Sequence, residues 1–405
     1  MSIDLNKLAT VAANEDNPKW EQMIKRDKEL YQANVDLRNE FERDYTRVLY
    51  SNAYKRLKNK TQVFFSPTND HICTRIEHVN HVESISTMLA KSFGLNTELT
   101  KTIAIAHDLG HSPFGHRGEQ VLNDILVRDT GLTFWHERNG LNYVDNLELL
   151  ENREGYKENL HLTYAVRDGI ISHCGEIDEN SLKPREEAID LYDYKKPNEY
   201  APYTWEGCVI KISDKISYLG RDIEDALRFN ILNESDIEEL NEILRFENIG
   251  YNALNNTNII NFLMTDLVKN TTVEKGLTFS DTGLEIVNRI KAFNYDKIYK
   301  NEKVLQGNGY FYIIINTIYD VLKSIYSSSL KEIKDNEKTK LYPDVIREFV
   351  NWLQNYCENT NELKLKNNKI YNLDKKEDYY RAIVHYISGM TDNKAISTYN
   401  RIISF

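Results

Sequence analysis

Helix breakers are scarce in this chain. Proline and glycine number 7 and 17 among 405 residues, roughly 2% and 4%, where globular proteins average about 5% and 7%. Proline removes a backbone donor and glycine weakens a helix interior, so long stretches without either can run on as helix. Strand-like alternation is sparse, and there is no internal repeat, low-complexity tract or glycine-rich phosphate loop. The expected fold is therefore all-α. A chain of this length buries a large core without staples. Its charge balance, 51 basic minus 62 acidic residues or −11, argues against a protein that coats nucleic acid or an anionic membrane. A local basic pocket for a small phosphate ester remains compatible with it.

Four cysteines stand far apart, with no C-x-x-C pair. The opening MSIDLNKLAT lacks the basic and apolar regions of a signal peptide, so a cytoplasmic protein is expected. The most apolar run, YFYIIINTIYDVL, is interrupted by Asp320 and too short to span a bilayer.

Residues 1–45 read as an irregular arm with one or two surface helices, 46–235 as the main helical core, and 236–405 as a C-terminal helical part. From Asp44 the run DYTRVLYSNAYKRL has helical spacing, and a turn-rich break follows at 66–71. Val79, Val82, Ile85, Leu89 and Phe93 step by three and four, which predicts an amphipathic helix over 75–93. Residues 98–109 are apolar on almost every side after one turn, the pattern of a helix inside a domain, and Gly110, Pro113 and Gly115 end it. Three prolines and dense charge over 175–205 predict a long, mobile connection. A strong helix is expected from about Gly207 to Phe229.

Seven of the ten histidines (His71, His78, His81, His107, His111, His116 and His136) crowd into residues 71–136. Neutral imidazole and carboxylate together suit a borderline divalent metal. At about 100° per residue, His78 lies on the buried stripe with Val82, Ile85 and Leu89, and Arg75 lies about 60° away on the same side. A lone buried His is usually hydrogen-bonded to a carbonyl. A buried guanidinium is harder to explain without an anion. The doublet His107-Asp108 ends an apolar helix, and its carboxylate also needs a partner from elsewhere. A cation bridging His78, His107 and Asp108 would satisfy all three; a His–Asp pair capping the helix end is the alternative. Asp214 sits opposite the aliphatic stripe Ile212, Ile216, Leu219 and Ile223, on a face that alone reads as solvated.

The runs R75-I-E-H78, H107-D108-L-G-H-S-P-F-G-H116 and D214-K-I-S-Y218-L-G-R-D222 resemble the HD-domain deoxynucleoside triphosphate triphosphohydrolases. That family includes bacterial dGTPases and the mammalian SAM-and-HD-domain restriction factor. AYKRLKNKTQVF (53–64) resembles the segment leading to the family's sugar-contacting glutamine, here Gln62. HYISGMTDNKA (385–395) is similar to the closing motif of the bacterial branch. The motifs stand in family order over about residues 36–400.

The resemblance implies one divalent ion (Mn, Mg, Fe, Co, Ni or Zn) held by His78, His107, Asp108 and Asp214. It implies hydrolysis of dNTPs, dGTP foremost, to deoxynucleoside and inorganic triphosphate, with metal-activated water attacking the α-phosphorus. His116 and His136 are the implied acid/base residues, and His111 belongs to the phosphate shell. Arg75 and Lys215 would face phosphates. Tyr218 would stack beneath the deoxyribose, while Gln62 and Asp222 would bond its 3′-hydroxyl. Lys291 and Tyr299 stand where the family places a cation and a tyrosine near the outer phosphates, although some members use arginine at the first. A homo-oligomer, often a hexamer, is implied, as are a dNTP activator and weak single-stranded nucleic acid binding in some members. Two alternatives share parts of this pattern. One is another HD phosphohydrolase, acting on nucleoside monophosphates, cyclic nucleotides or alarmones. The other is a nucleotide-sensing or single-strand-binding module.

Overall fold

The computed structural model describes residues 4–30, 36–65, 72–174, 180–245, 256–357 and 364–404. His71, the break at 66–71 and the first part of the connection at 175–179 lie outside them. Among the described residues, the only paired strands are the two-residue segments Leu150–Glu151 and Lys157–Glu158. Everything else is helix and loop, so the chain is all-α. Counting described helices of seven residues or more, α1 is Glu40–Tyr50, α2 Arg75–Phe93, α3 Thr97–Ala106, α4 Gly115–Thr130, α5 His136–Asn142, α6 Tyr164–Ser172 and α7 Trp205–Arg228. Then come α8 Glu234–Arg245, α9 Asn256–Asn270, α10 Asp281–Phe293, α11 Asn308–Lys323, α12 Pro343–Cys357, α13 Lys376–Ser388 and α14 Asp392–Ile403. No helix among the described residues is long and apolar enough to cross a membrane.

Helix α2 has the bounds that its spacing predicts. At its start the Glu77 carboxylate accepts from the Thr74 N–H at 2.7 Å and the Thr74 hydroxyl at 3.0 Å. At its end Gly94 takes a left-handed conformation, φ 75°. The helix serves two cores. Val79 and Val82 pack with Ile103, Leu122, Ile170 and the C-terminal Ile314, Ile318 and Ile383. Ile85, Leu89 and Phe93 pack with Ile212, Ile216, Leu219, Leu263 and Ile290. The stripe of α7 is thus spent on the second core, and the opposite face carrying Asp214 turns toward α2.

Two expectations are corrected and one is refined. The run beginning at Asp44 is two helices, because Ser51 is extended (ψ 151°) and its hydroxyl caps the second by accepting from the Tyr54 N–H at 3.2 Å. The N-terminal arm lies mostly on the surface, with short helices, but it is anchored inward at four positions. Leu8, Ala12, Ala13 and Met23 are buried in the two cores, and buried Glu206 accepts from the N–H groups of Ala13 and Asn96, each at 2.9 Å. The proline-bearing connection is irregular but tied down over its described residues. Arg185 binds buried Asp168 at 2.5 Å and the Ala201 carbonyl at 2.7 Å, and Leu182 pairs with Leu277.

Candidate active site

Two helix ends and two helix faces meet between the cores. His107 is the C-cap of α3, and its Nδ1 faces the Ala104 carbonyl at 2.6 Å. A carbonyl only accepts, so Nδ1 carries the proton and Nε2 keeps its lone pair. That Nε2 is buried without a hydrogen-bond partner. His78 on α2 directs Nε2 to Asp214 Oδ1 at 2.9 Å and Nδ1 to the Ser217 hydroxyl at 3.1 Å, both on α7. Asp108 stands between them, with Oδ2 3.8 Å from His78 Nε2 and Oδ1 3.5 Å from His107 Nε2. His78, His107, Asp108 and Asp214 are therefore brought together, and the Asp214 face is not solvated.

The two charges that the sequence leaves unexplained answer each other. Arg75 Nη1 lies 2.8 Å from Asp108 Oδ2, with both side chains buried. Its remaining donors reach the carbonyls of Thr61 and Gln62, each at 3.3 Å. The guanidinium expected on a phosphate is here engaged with a carboxylate and the Thr61–Gln62 backbone. Burial alone would raise Asp108, but His111, His107 and Arg75 hold it well below the usual carboxylate range. For Asp214, His78 likewise outweighs burial and lowers it. His78, His107 and Asp214 have donor atoms within 4.8 Å of one another, and so do His107, Asp108 and His173; either group could hold a divalent cation, and His107 is common to both.

His111, His116 and His136 form a second group beside the first. His111 Nδ1 is 3.0 Å from Asp108 Oδ1, and its ring stacks on His136 at 3.8 Å between centroids. Gly110 permits this approach: a Cβ there would fall 2.0 Å from the His136 carbonyl oxygen and 2.2 Å from the Gly140 nitrogen. His136 begins α5. Its backbone N–H donates to Glu119 at 3.0 Å, and its Nδ1 lies 3.1 Å from the same carboxylate. Glu119 also stands 3.4 Å from Nδ1 of exposed His116. Burial would lower His136, yet Glu137 and Glu119 hold it well above the ordinary imidazole range. Burial and Arg75 push His111 well below it.

The expected sugar contacts follow the same face of α7. Asp222 is buried, which raises its carboxyl to about 6, and it accepts a short hydrogen bond from the Tyr299 hydroxyl. Tyr218 is half-buried one turn before it, and Lys215 is buried beside Asp214. Lys291 is half-buried near the end of α10, ahead of the turn that carries Tyr299. Gln62 sits beside the Arg75 guanidinium through its backbone, with a buried side-chain oxygen.

Residues from the C-terminal part fix both site loops. Buried Lys60 donates to the carbonyls of His111 and Ser388. Asp392, at the start of α14, accepts from the Thr61 N–H at 2.9 Å, the Thr61 hydroxyl at 2.5 Å and the Phe114 N–H at 2.9 Å. Phe114 needs that support because it is left-handed, φ 63°, ahead of left-handed Gly115. Its ring stacks on Phe311 at 4.5 Å.

Glu119, Lys60, Asp392 and His173 are the site residues that the sequence alone did not single out. Glu119 could have been found at i+3 from His116 on one helical face. His173 follows an apolar helical run, as His107 does. Lys60 and Asp392 lie inside two of the quoted motifs, but no helical periodicity marks them.

Known proteins resemble this chain over most of its length. The HD domain matches residues 75–219, and the phosphohydrolase-associated domain matches residues 330–401. Relatives named deoxyguanosinetriphosphate triphosphohydrolase-like protein include one from Rickettsia prowazekii, 31% identical over 396 aligned positions, covering 91% of this chain and 92% of the relative. One from Caldanaerobacter subterraneus subsp. tengcongensis is 29% identical, covering 91% and 86%. One from Desulfatibacillum aliphaticivorans is 34% identical, covering 66% and 69%.

Proposed function

The chain belongs to the HD-domain deoxyguanosinetriphosphate triphosphohydrolase-like family, and from that premise we propose a metal-dependent hydrolase of deoxynucleoside triphosphates, dGTP foremost. Its products are the deoxynucleoside and inorganic triphosphate. The observation that carries the proposal is one face of one helix. Asp214, Tyr218 and Asp222 recur every four residues along α7, with buried Lys215 beside them, so the face runs from the His–Asp centre to the Asp222–Tyr299 pair in about 12 Å of helical rise.

A divalent ion held by His78, His107, Asp108 and Asp214 would supply Lewis acidity toward phosphate oxygens and water. Imidazole donors suit Mn²⁺, Fe²⁺, Co²⁺, Ni²⁺ or Zn²⁺ better than Mg²⁺. The chain's own groups do the rest. Arg75 fixes Asp108, and Lys215 offers a point charge to the triphosphate. Water adds to the α-phosphorus and loses a proton to solvent, the bond to the 5′-oxygen breaks, and that oxygen must gain a proton. His136, held protonated by Glu137 and Glu119, is suited to give it. Glu119 orients His136 and His116 together. Tyr218 closes the sugar site against a 2′-hydroxyl, and Asp222 accepts from the 3′-hydroxyl. Four free cysteines accord with a cytoplasmic protein, and a homo-oligomer is the working form we expect.

The test is to incubate the purified protein with each of the four dNTPs, with their mixture and with GTP, in Mn²⁺ or Mg²⁺, and to separate products by ion exchange. Triphosphate plus deoxynucleoside is the expected result. Release of orthophosphate or pyrophosphate instead, or no product under any condition, overturns the proposal.

A further inference from the structure

Two imidazoles in the buried centre are built alike, and only one belongs to the proposed ligand set. His107 follows the last residue of α3, and its Nδ1 faces the carbonyl three residues back, Ala104, at 2.6 Å. His173 follows the last residue of α6, and its Nδ1 faces the carbonyl three residues back, Ile170, at 2.7 Å. In each the carbonyl forces the proton onto Nδ1 and leaves a lone pair on Nε2. Both rings are buried, at 0% and 1% exposure. They meet edge to face with centroids 4.9 Å apart.

Both Nε2 atoms lie near one carboxylate oxygen, Asp108 Oδ1, which also has His111 Nδ1 at 3.0 Å. Asp108 Oδ1 lies 3.5 Å from His107 Nε2 and 3.9 Å from His173 Nε2. Nitrogen lone pairs directed at a carboxylate oxygen repel in a dry interior unless a cation sits among them. Their separations are those of ligand atoms flanking one ion rather than of hydrogen-bonded partners. His107, Asp108 and His173 also form a group whose donor atoms all lie within 4.8 Å of one another. His173 also stands in a group with His136 and Cys174, its ring 5.5 Å from that of His136.

We propose that His173 is an additional nitrogen donor to the cation centre, on the Asp108 Oδ1 side. The proposal rests on the metal-dependent reading above. Helix α6, which bears no predicted ligand, thereby becomes part of the metal cradle: its C-terminal end and that of α3 deliver equivalent imidazoles from neighbouring helices.

The experiment is Co²⁺ titration of the full chain, followed by visible absorption, for the wild type, His173→Gln and His107→Gln, with circular dichroism to confirm folding. His173→Gln is expected to weaken Co²⁺ binding at least about tenfold and to alter the ligand-field bands. Wild-type affinity and bands in His173→Gln, beside lost binding in His107→Gln, overturn the role of His173 and leave the metal reading intact. Wild-type binding in both variants defeats the metal reading itself. Proton NMR of the Co²⁺-loaded wild type decides the matter without a variant. A hyperfine-shifted Nδ1–H signal of His173 beside that of His107 is expected, and its absence counts against the proposal.

Discussion

Asp392→Ala removes the acceptor that joins α14 to two site loops. Three hydrogen bonds go: to the Thr61 N–H, the Thr61 hydroxyl and the Phe114 N–H. At roughly 1 to 1.5 kcal/mol each, with two backbone donors left unpaired, the loss is about 3 to 5 kcal/mol. Asp392 is itself held against burial, which raises its carboxyl, so its removal returns part of that and brings the expected figure to about 3 kcal/mol. Thr391 still caps the helix by accepting from the Lys394 N–H, so α14 survives. The catalytic effect is separate, because Thr61 adjoins Gln62 and Phe114 lies two residues before His116. Misplacement by about 1 Å costs on the order of 100-fold in rate. Urea unfolding and dNTP turnover, measured where the variant is folded, test both figures. Lys394→Ala, two residues along the same helix, breaks only a part-exposed pair with Glu348 and should cost under about 1 kcal/mol. An Asp392→Ala protein that loses less than Lys394→Ala, or keeps wild-type turnover, refutes the role of this contact.

Alanine at His107 or Asp108 should abolish cation binding and turnover together; full activity in either variant would remove these residues from the centre. Tyr218→Ala should relax rejection of ribonucleotides, read as the ratio of NTP to dNTP rates, and an unchanged ratio defeats its sugar role. Asp222 keeps its proton up to about pH 6 when folded, against an ordinary value of 3.8. Between those values the folded state binds more protons, so the stability this group adds is full below pH 3.8 and is lost as pH rises through 6. Substrate binding runs the other way, because only the carboxylate accepts the 3′-hydroxyl freely. KM for a dNTP should rise as pH falls below 6, and Asp222→Asn should flatten that rise.

Periodicity made α2 legible to the residue and placed His78 and Arg75 on its buried side. It also showed that Arg75 and Asp108 each needed an opposite charge, but not that they needed each other, because the pairing depends on how α3 ends against α2. Asp214 shows the limit of such patterns. Its face is polar for a helix seen alone, and it turns inward only because two cores flank α7. The inward anchors of the N-terminal arm were hidden for a related reason: its few apolar residues are individually weak signals, and their burial is set by grooves that other helices create. Glu119 and His173 were open to local reasoning, one by helical spacing and one by likeness to His107. Lys60 and Asp392 were not, since their partners come from distant stretches.

The Thr61–Asp392 contact spans 331 positions. During synthesis the histidines and aspartates emerge long before Asp392, yet the left-handed turn at Phe114 and the strand of backbone at Thr61 gain their anchor only with α14. A ribosome-bound chain lacking that helix would carry the motif without its clamp. Hydrolytic competence is thereby deferred to the final stage of folding, and a product truncated before α14 would be inactive even with every proposed ligand present.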